Sequence, residues 1–220
     1  MRALVTGGTG RVGSGIARRL EAEGYRVLAA GRRDGDLSRA VDARALVERA
    51  ATELGGLDLV VHAAGDGFVP RVLEDVTEED WDAALGATAK GSFFVGQAAA
   101  SHLRASRGLL VLIEDVAAYQ PWVSFAPHCA AKAAQAMLTR VLARALAPEA
   151  RVCGIAPGPV AVEPDEVERR AAETLLGRVG SPDDVADAIL YLARADFVTG
   201  TSLVVDGGWL LSETRRQREP

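Results

Sequence analysis

Short, continuously apolar runs alternate along the chain with longer stretches in which apolar and polar positions recur at helical spacing. The runs at 2–6, 25–30, 57–62, 109–113, 151–155 and 202–205 predict strands. The segments 11–23, 43–54, 77–105, 126–146, 164–174 and 182–194 predict helices, with 77–105 forming one long helix or two in succession. Thr77 and Asp80 open that segment at capping-box spacing, and Pro157-Gly158 stop the strand before them. Strands that are apolar throughout, each separated by a helix, predict a parallel sheet covered on both faces. The expectation is a single α/β domain over 1–220, a doubly wound Rossmann-like sheet with a polar tail from about 212. Ligands of such a sheet sit at the carboxyl ends of its strands.

Composition narrows the partners. Of 220 residues, 49% are hydrophobic and 25% charged, an ordinary globular balance. A net charge of -5 gives no reason to expect nucleic acid or an anionic membrane surface. No apolar run approaches the roughly 20 residues of a membrane span. The opening MRALVTGG reads at once as a strand, so no cleaved signal peptide is expected. Cys129 and Cys153 are too few for a disulfide framework and lack zinc-ligand spacing. A cytoplasmic protein with no metal, acting on a small molecule, is the expectation.

The first strand runs into Thr6-Gly7-Gly8-Thr9-Gly10-Arg11-Val12-Gly13 and then a helix. Glycines there let the backbone approach a pyrophosphate, whose charge is favoured by the helix N-terminus. The second strand ends Ala30-Gly31-Arg32-Arg33, two cations with no acid read at the turn. Guanidinium groups suit the extra phosphate of NADPH, whereas an acid there would hold the ribose of NAD. NADPH is the expected cofactor.

Together these residues resemble the short-chain dehydrogenase/reductase family over nearly the whole chain. Thr6 to Gly13 resembles its TGxxxGxG loop, and Asp36-Leu37 its adenine-contacting pair. His62-Ala63-Ala64-Gly65 stands where the family has NNAG, and Ala156-Pro157-Gly158-Pro159-Val160 resembles its PG turn beside the nicotinamide. Gly177 to Pro182 and Val198 to Gly208 resemble its C-terminal signatures. The stretch between the second strand and Asp36 is short for the family, so one helix is expected to be missing.

The resemblance implies a catalytic Tyr-x-x-x-Lys pair, a Ser before it and an Asn on the long helix. Here Lys132 is kept, His128 stands at the Tyr position, Asp115 at the Ser position and Thr88 at the Asn position, while Val162 replaces a Thr after the PG turn. Arg11 and Asp115 resemble the family's pteridine reductase branch, which implies an Arg near the phosphates and pterin and an Asp in proton delivery. The segment Asp115 to Trp122 resembles bacterial pteridine reductase-like members. The expected mechanism has Asp115 deliver a proton, directly or through water, with Lys132 on the nicotinamide ribose and His128 orienting ribose or water.

Phe68, Tyr119 and Trp122 are candidate substrate contacts, and Phe125 lines either the substrate side or a subunit contact. Glu114 is expected to face away from Asp115 towards the surface or an interface, because successive strand residues point to opposite faces. His62 is read as a residue at the cofactor edge and His102 as structural. The apolar helices 77–105 and 126–146 suit a homodimer or homotetramer. NADPH-dependent reduction of a pteridine-like C=N bond is the leading reading. The alternatives are a carbonyl reductase and a catalytically silent NADP(H)-binding protein.

Overall fold

Leu4, Val60 and Leu110 point to one face of a sheet while Val5, Val61 and Val111 point to the other, and all six are fully buried. Side chains alternate across a strand, so burial on both faces produces the unbroken apolar runs. The computed structural model describes residues 1–65 and 68–212. In chain order its elements are β1 (Arg2–Thr6), α1 (Arg11–Ala22), β2 (Arg26–Ala30), α2 (Ala40–Leu54) and β3 (Leu59–His62). There follow α3 (Glu78–Leu85), α4 (Gly91–Ser106), β4 (Leu109–Ile113), α5 (Ala126–Leu146), β5 (Arg151–Pro157), α6 (Val167–Ala172), α7 (Pro182–Arg194) and β6 (Ser202–Val205). The six strands are parallel, in the order β2-β1-β3-β4-β5-β6. Residues of α2, α4 and α5 build the core on one face, and those of α1 and α7 build it on the other.

Between β2 and Asp36 there is only a single 3-10 turn, Arg32–Asp34. The usual doubly wound order places a further strand outside the second one. Here β2 is itself the edge, so the short stretch has lost a strand together with the expected helix.

Most element boundaries agree with the sequence pattern, and the differences have local causes. Strand β3 starts at Leu59 because Asp58 is taken up by Arg2, whose backbone N donates to its carboxylate at 2.8 Å. Strand β5 continues to Pro157, and the next residue, Gly158, donates its N–H to Val205 O at 3.0 Å. The segment 164–174 divides into a 3-10 turn, Pro164–Glu166, and the short α6. The segment 77–105 opens on the expected Thr77–Asp80 capping box, then runs through α3, a π-turn at Gly86–Lys90 and α4 without a break. Ser212, placed in the tail by the sequence reading, is buried; the rest of that tail lies outside the described residues. No helix among the described residues is long and apolar enough to cross a membrane.

Candidate active site

Gly7 has φ +69, and a Cβ there would lie 2.6 Å from the Ala63 carbonyl, so only hydrogen fits between β1 and the chain leaving β3. Gly13 lies as closely against Gly7 O, and Thr9 lies over Gly31. Helix α1 starts at Gly10 with no side-chain cap and no acid in its first turn. Its leading N–H groups and the positive end of its dipole therefore remain available to an anion. Val12 packs inward on the core, while Ala63, Ala64 and Gly65 run alongside, Ala63 donating to Thr6 O at 3.0 Å.

His62 departs from its sequence reading as a cofactor-edge residue, because it is wholly buried. Its Nε2 meets Ala87 O at 3.1 Å, which requires the proton on that nitrogen; Nδ1 then accepts from Thr6 Oγ1 at 2.9 Å. Burial pushes this imidazole down to about 4. The ring is a neutral staple between β1 and the π-turn.

At the end of β2, Arg32 and Arg33 are exposed. The turn does contain an acid, contrary to the sequence reading, but its groups are already engaged. Asp34 accepts from Gly31 N at 2.8 Å and pairs with Arg49 at 2.6 Å, and both hold its carboxyl below the usual range. Asp36 is exposed and accepts from Ser38 N at 2.9 Å, while Leu37 is buried.

Asp115, two residues beyond β4, caps the 3-10 turn Val116–Ala118, with Oδ1 accepting from Ala117 N at 2.8 Å. Its other oxygen faces His128 Nε2 at 3.5 Å. That is an ion-pair separation, beyond a good hydrogen bond. His128 is buried, and among the described residues neither ring nitrogen has a hydrogen-bond partner. Lys132, one turn on, donates from Nζ to Ile113 O at 2.9 Å and to Gln135 Oε1 at 3.0 Å. Gln135 Nε2 donates to Ser92 Oγ at 2.8 Å, and Ser92 donates to Thr88 O at 2.6 Å. The lysine is thus tied to the π-turn, a distortion common at functional sites. Thr88 Oγ1 is buried near Gly65 with no partner among the described residues. Burial pushes the Lys132 ammonium down; Asp115, and then Glu114, pull it back.

Aromatic rings surround His128. Phe68 meets it edge-on with centroids 5.0 Å apart, and Trp122 lies parallel to it at 6.2 Å. Phe68 stacks on Phe125 at 4.5 Å, and Trp209 meets Trp122 edge-on at 5.6 Å. Trp209 is buried, its indole donating to Glu173 at 3.4 Å. Tyr119 does not join this wall. The turn capped by Asp115 reverses the chain and carries the phenol to Glu114, to which it donates at 3.1 Å.

Across the cleft from α1, Gly158 and Val160 form the PG turn, where Val160 bridges to Gly180. Arg11 reaches that side: its guanidinium pairs with Glu163 at 2.7 Å and donates to Ala161 O at 3.3 Å. An open cavity of about 470 Å³ beside the turn is lined by Pro159, Val160, Leu175, Leu203 and Gly208 among others. Asp115, His128 and Lys132 are not in its walls. Among the described residues no group of three His, Cys, Asp or Glu side chains could hold a metal ion.

Four residues of this site escaped the sequence reading: Ser92, Gln135, Thr139 and Trp209. The signal for two of them was present, because His128, Lys132, Gln135 and Thr139 recur at helical spacing and form a buried polar stripe on α5. Glu114, expected to face the surface or an interface, is only 2% exposed. It does point away from Asp115, but the space there lies beneath α5. His102, read as structural, is a surface partner of Glu48 at 3.3 Å.

Residues 30–210 match the family model described as Enoyl-(Acyl carrier protein) reductase. The chain is 35% identical to "Granaticin polyketide synthase putative ketoacyl reductase 2" of Streptomyces violaceoruber, with 94% of each chain covered. It is 34% identical to 3beta-hydroxysteroid dehydrogenase 1 of Eggerthella lenta, covering 94% of this chain and 93% of that one. Among solved structures, a short-chain type dehydrogenase/reductase from Mycobacterium marinum superposes with a TM-score of 0.87 at 26% identity, covering 94% of both. The 3-ketoacyl-(acyl-carrier-protein) reductase of Brucella melitensis, solved with NADH, gives 0.87 at 27%, covering 94% of this chain and 97% of that one.

Proposed function

The chain belongs to the short-chain dehydrogenase/reductase family of oxidoreductases, and from that premise we propose that it is an NADPH-dependent reductase of a flat, unsaturated ring, pteridine-like in shape, at a C=N bond. The observation that carries this reading is the aromatic wall of Phe68, Trp122 and Phe125 around His128, with the Asp115 carboxylate beside it. Stacking suits a flat heterocycle, and a carboxyl group can exchange protons with a ring nitrogen.

The glycine cradle and the uncapped start of α1 fit a dinucleotide. Gly7 and Gly13 leave room for a pyrophosphate against the backbone, and Thr9, Arg11, Val12, Ala63, Ala64 and Gly65 flank it. Asp36 and Leu37 would border the adenine; Pro157, Gly158 and Val160 would border the nicotinamide. The exposed Arg32 and Arg33, with Asp34 engaged elsewhere, favour the 2′-phosphate of NADPH. When bound, NADPH supplies the hydride to the ring carbon.

The protein supplies the matching proton to nitrogen. Asp115 is the donor: Oδ1 is fixed by Ala117 N–H, while Oδ2 faces His128 and the side chain stays 26% exposed. His128, caged by rings, orients ribose or water, and Lys132, held by Ile113 and Gln135, binds the ribose. Thr88 closes the site behind Gly65. The same constellation would serve a ketone, and this second reading is favoured by the ketoacyl reductase and hydroxysteroid dehydrogenase among the relatives. Dihydropterin and ketone substrates compared with NADPH separate the two. A homodimer or homotetramer through the apolar helices belongs to this reading, and light scattering tests it.

A further inference from the structure

Gly154 of β5 has no side chain where the carboxylate of Glu114 lies; a Cβ there would collide with Oε1. The carboxylate occupies that notch beneath α5 and receives three hydroxyls. Thr139 donates at 2.6 Å and Ser202 at 3.0 Å to Oε1, and Tyr119 donates at 3.1 Å to Oε2. Three donors converging on one carboxyl satisfy an anion, and burying an anion is costly unless something requires it. The residue before it, Ile113, gives its carbonyl to Lys132 Nζ. Glu114 and Asp115 are the two residues that follow Ile113, and both carboxylates act electrostatically on Lys132.

We propose that Glu114 is a positioning residue for the reaction, a fixed buried anion that keeps the Lys132 ammonium charged when Asp115 loses its own negative charge on taking up a proton. The inference rests on the reading of Asp115 as proton donor. An acid that delivers a proton must first be neutral, and in that state Lys132 would be a buried cation without a counter-charge. Glu114 is buried beneath α5 with both carboxylate oxygens engaged by hydroxyls, so it is not the group that exchanges protons with a ligand. The groups around the pair are few. His62 from β3 is neutral, His128 lies one turn earlier on α5, and Cys153 of β5, Tyr119 and Arg140 lie within the electrostatic reach of Glu114 or its phenol partner. Both carboxylates act on Lys132 in the same sense, against the burial that favours the neutral amine.

The sequence provides a direct reporter, because its only lysines are Lys90 and Lys132. In cofactor-free protein labelled at lysine Cε, the carbon-13 signal of Lys132 gives its titration midpoint, and exposed Lys90 serves as the internal control. In E114Q the Lys132 midpoint falls by about one pH unit or more, while Lys90 does not move. In D115N, which mimics the neutral acid, Lys132 stays charged at pH 7.5; adding E114Q to D115N neutralises a substantial fraction of it. An unchanged Lys132 midpoint in E114Q overturns the proposal. Should E114Q fail to fold, the carboxyl carbon-13 signal of Glu114 in the parent decides: a proton on it between pH 7 and 9 overturns the proposal. Loss of turnover at the alkaline end of the kcat profile in E114Q is the kinetic counterpart. The lysine titration needs no turnover, so failure of the proposed activity would not be mistaken for failure of this inference.

Discussion

His128 Nε2 stands 3.5 Å from a carboxylate oxygen of Asp115, with both ring nitrogens otherwise unpartnered among the described residues. The pair occupies the positions where the family resemblance implies a tyrosine and a serine. The carboxyl is the more accessible of the two, its side chain 26% exposed against 7% for the imidazole. Asp115→Asn keeps the Oδ1 contact to Ala117 N–H and removes the proposed proton source. Turnover falls about 100- to 10,000-fold, while NADPH binding, read by fluorescence titration, stays within about threefold. Parent-like turnover in this variant removes Asp115 from the mechanism.

The proposed role of the aromatic wall in substrate choice is tested at Trp122. Trp122→Ala removes the ring parallel to His128 and the edge contact to Trp209. It raises KM for a flat aromatic substrate by roughly 3- to 10-fold, with a smaller change for a short aliphatic ketone. Equal effects on both substrates would mean that the ring only packs.

The proposed preference for NADPH rests on the turn after β2. Arg33→Ala weakens NADPH binding by about 10- to 100-fold and leaves NADH nearly unchanged, since only the former carries the extra phosphate. Calorimetric titration of both cofactors checks this, and parallel losses would place Arg33 elsewhere.

His62 makes stability depend on pH. Its ring is pushed from 6.5 to about 4 in the folded chain, so below pH 6.5 the unfolded state takes up a proton that the folded state refuses. Stability therefore falls as pH drops from 6.5 to 4, by at most roughly 3 kcal/mol from this group. Urea midpoints across that interval show the fall in the parent and a shallower one in His62→Asn. Equal slopes would remove His62 as the cause.

The strands and the glycine loop were legible because each is a local pattern: β1, β4 and β6 fall at the residues the apolar runs indicated. Glu114 was misplaced because alternation gives the face a side chain takes, and says nothing of what covers that face. Only the assembled fold brings its carboxylate over Gly154 of β5 and Thr139 of α5 against it. Tyr119 was misplaced for a similar reason, since a capped 3-10 turn between Asp115 and Tyr119 sends the two side chains to different sides. Asp34 was overlooked because it follows the two arginines as the last residue of a short turn, whose local bond to Gly31 N and pairing with Arg49 of α2 appear only in the fold.

The most direct measurement is the rate of NADPH oxidation by the purified protein with a 7,8-dihydropterin, run in parallel for the parent and D115N. Turnover by the parent, faster with NADPH than with NADH, and a loss of at least about 100-fold in D115N are expected. Tight NADPH binding without any turnover, or equal turnover by the two proteins, would contradict the proposed function.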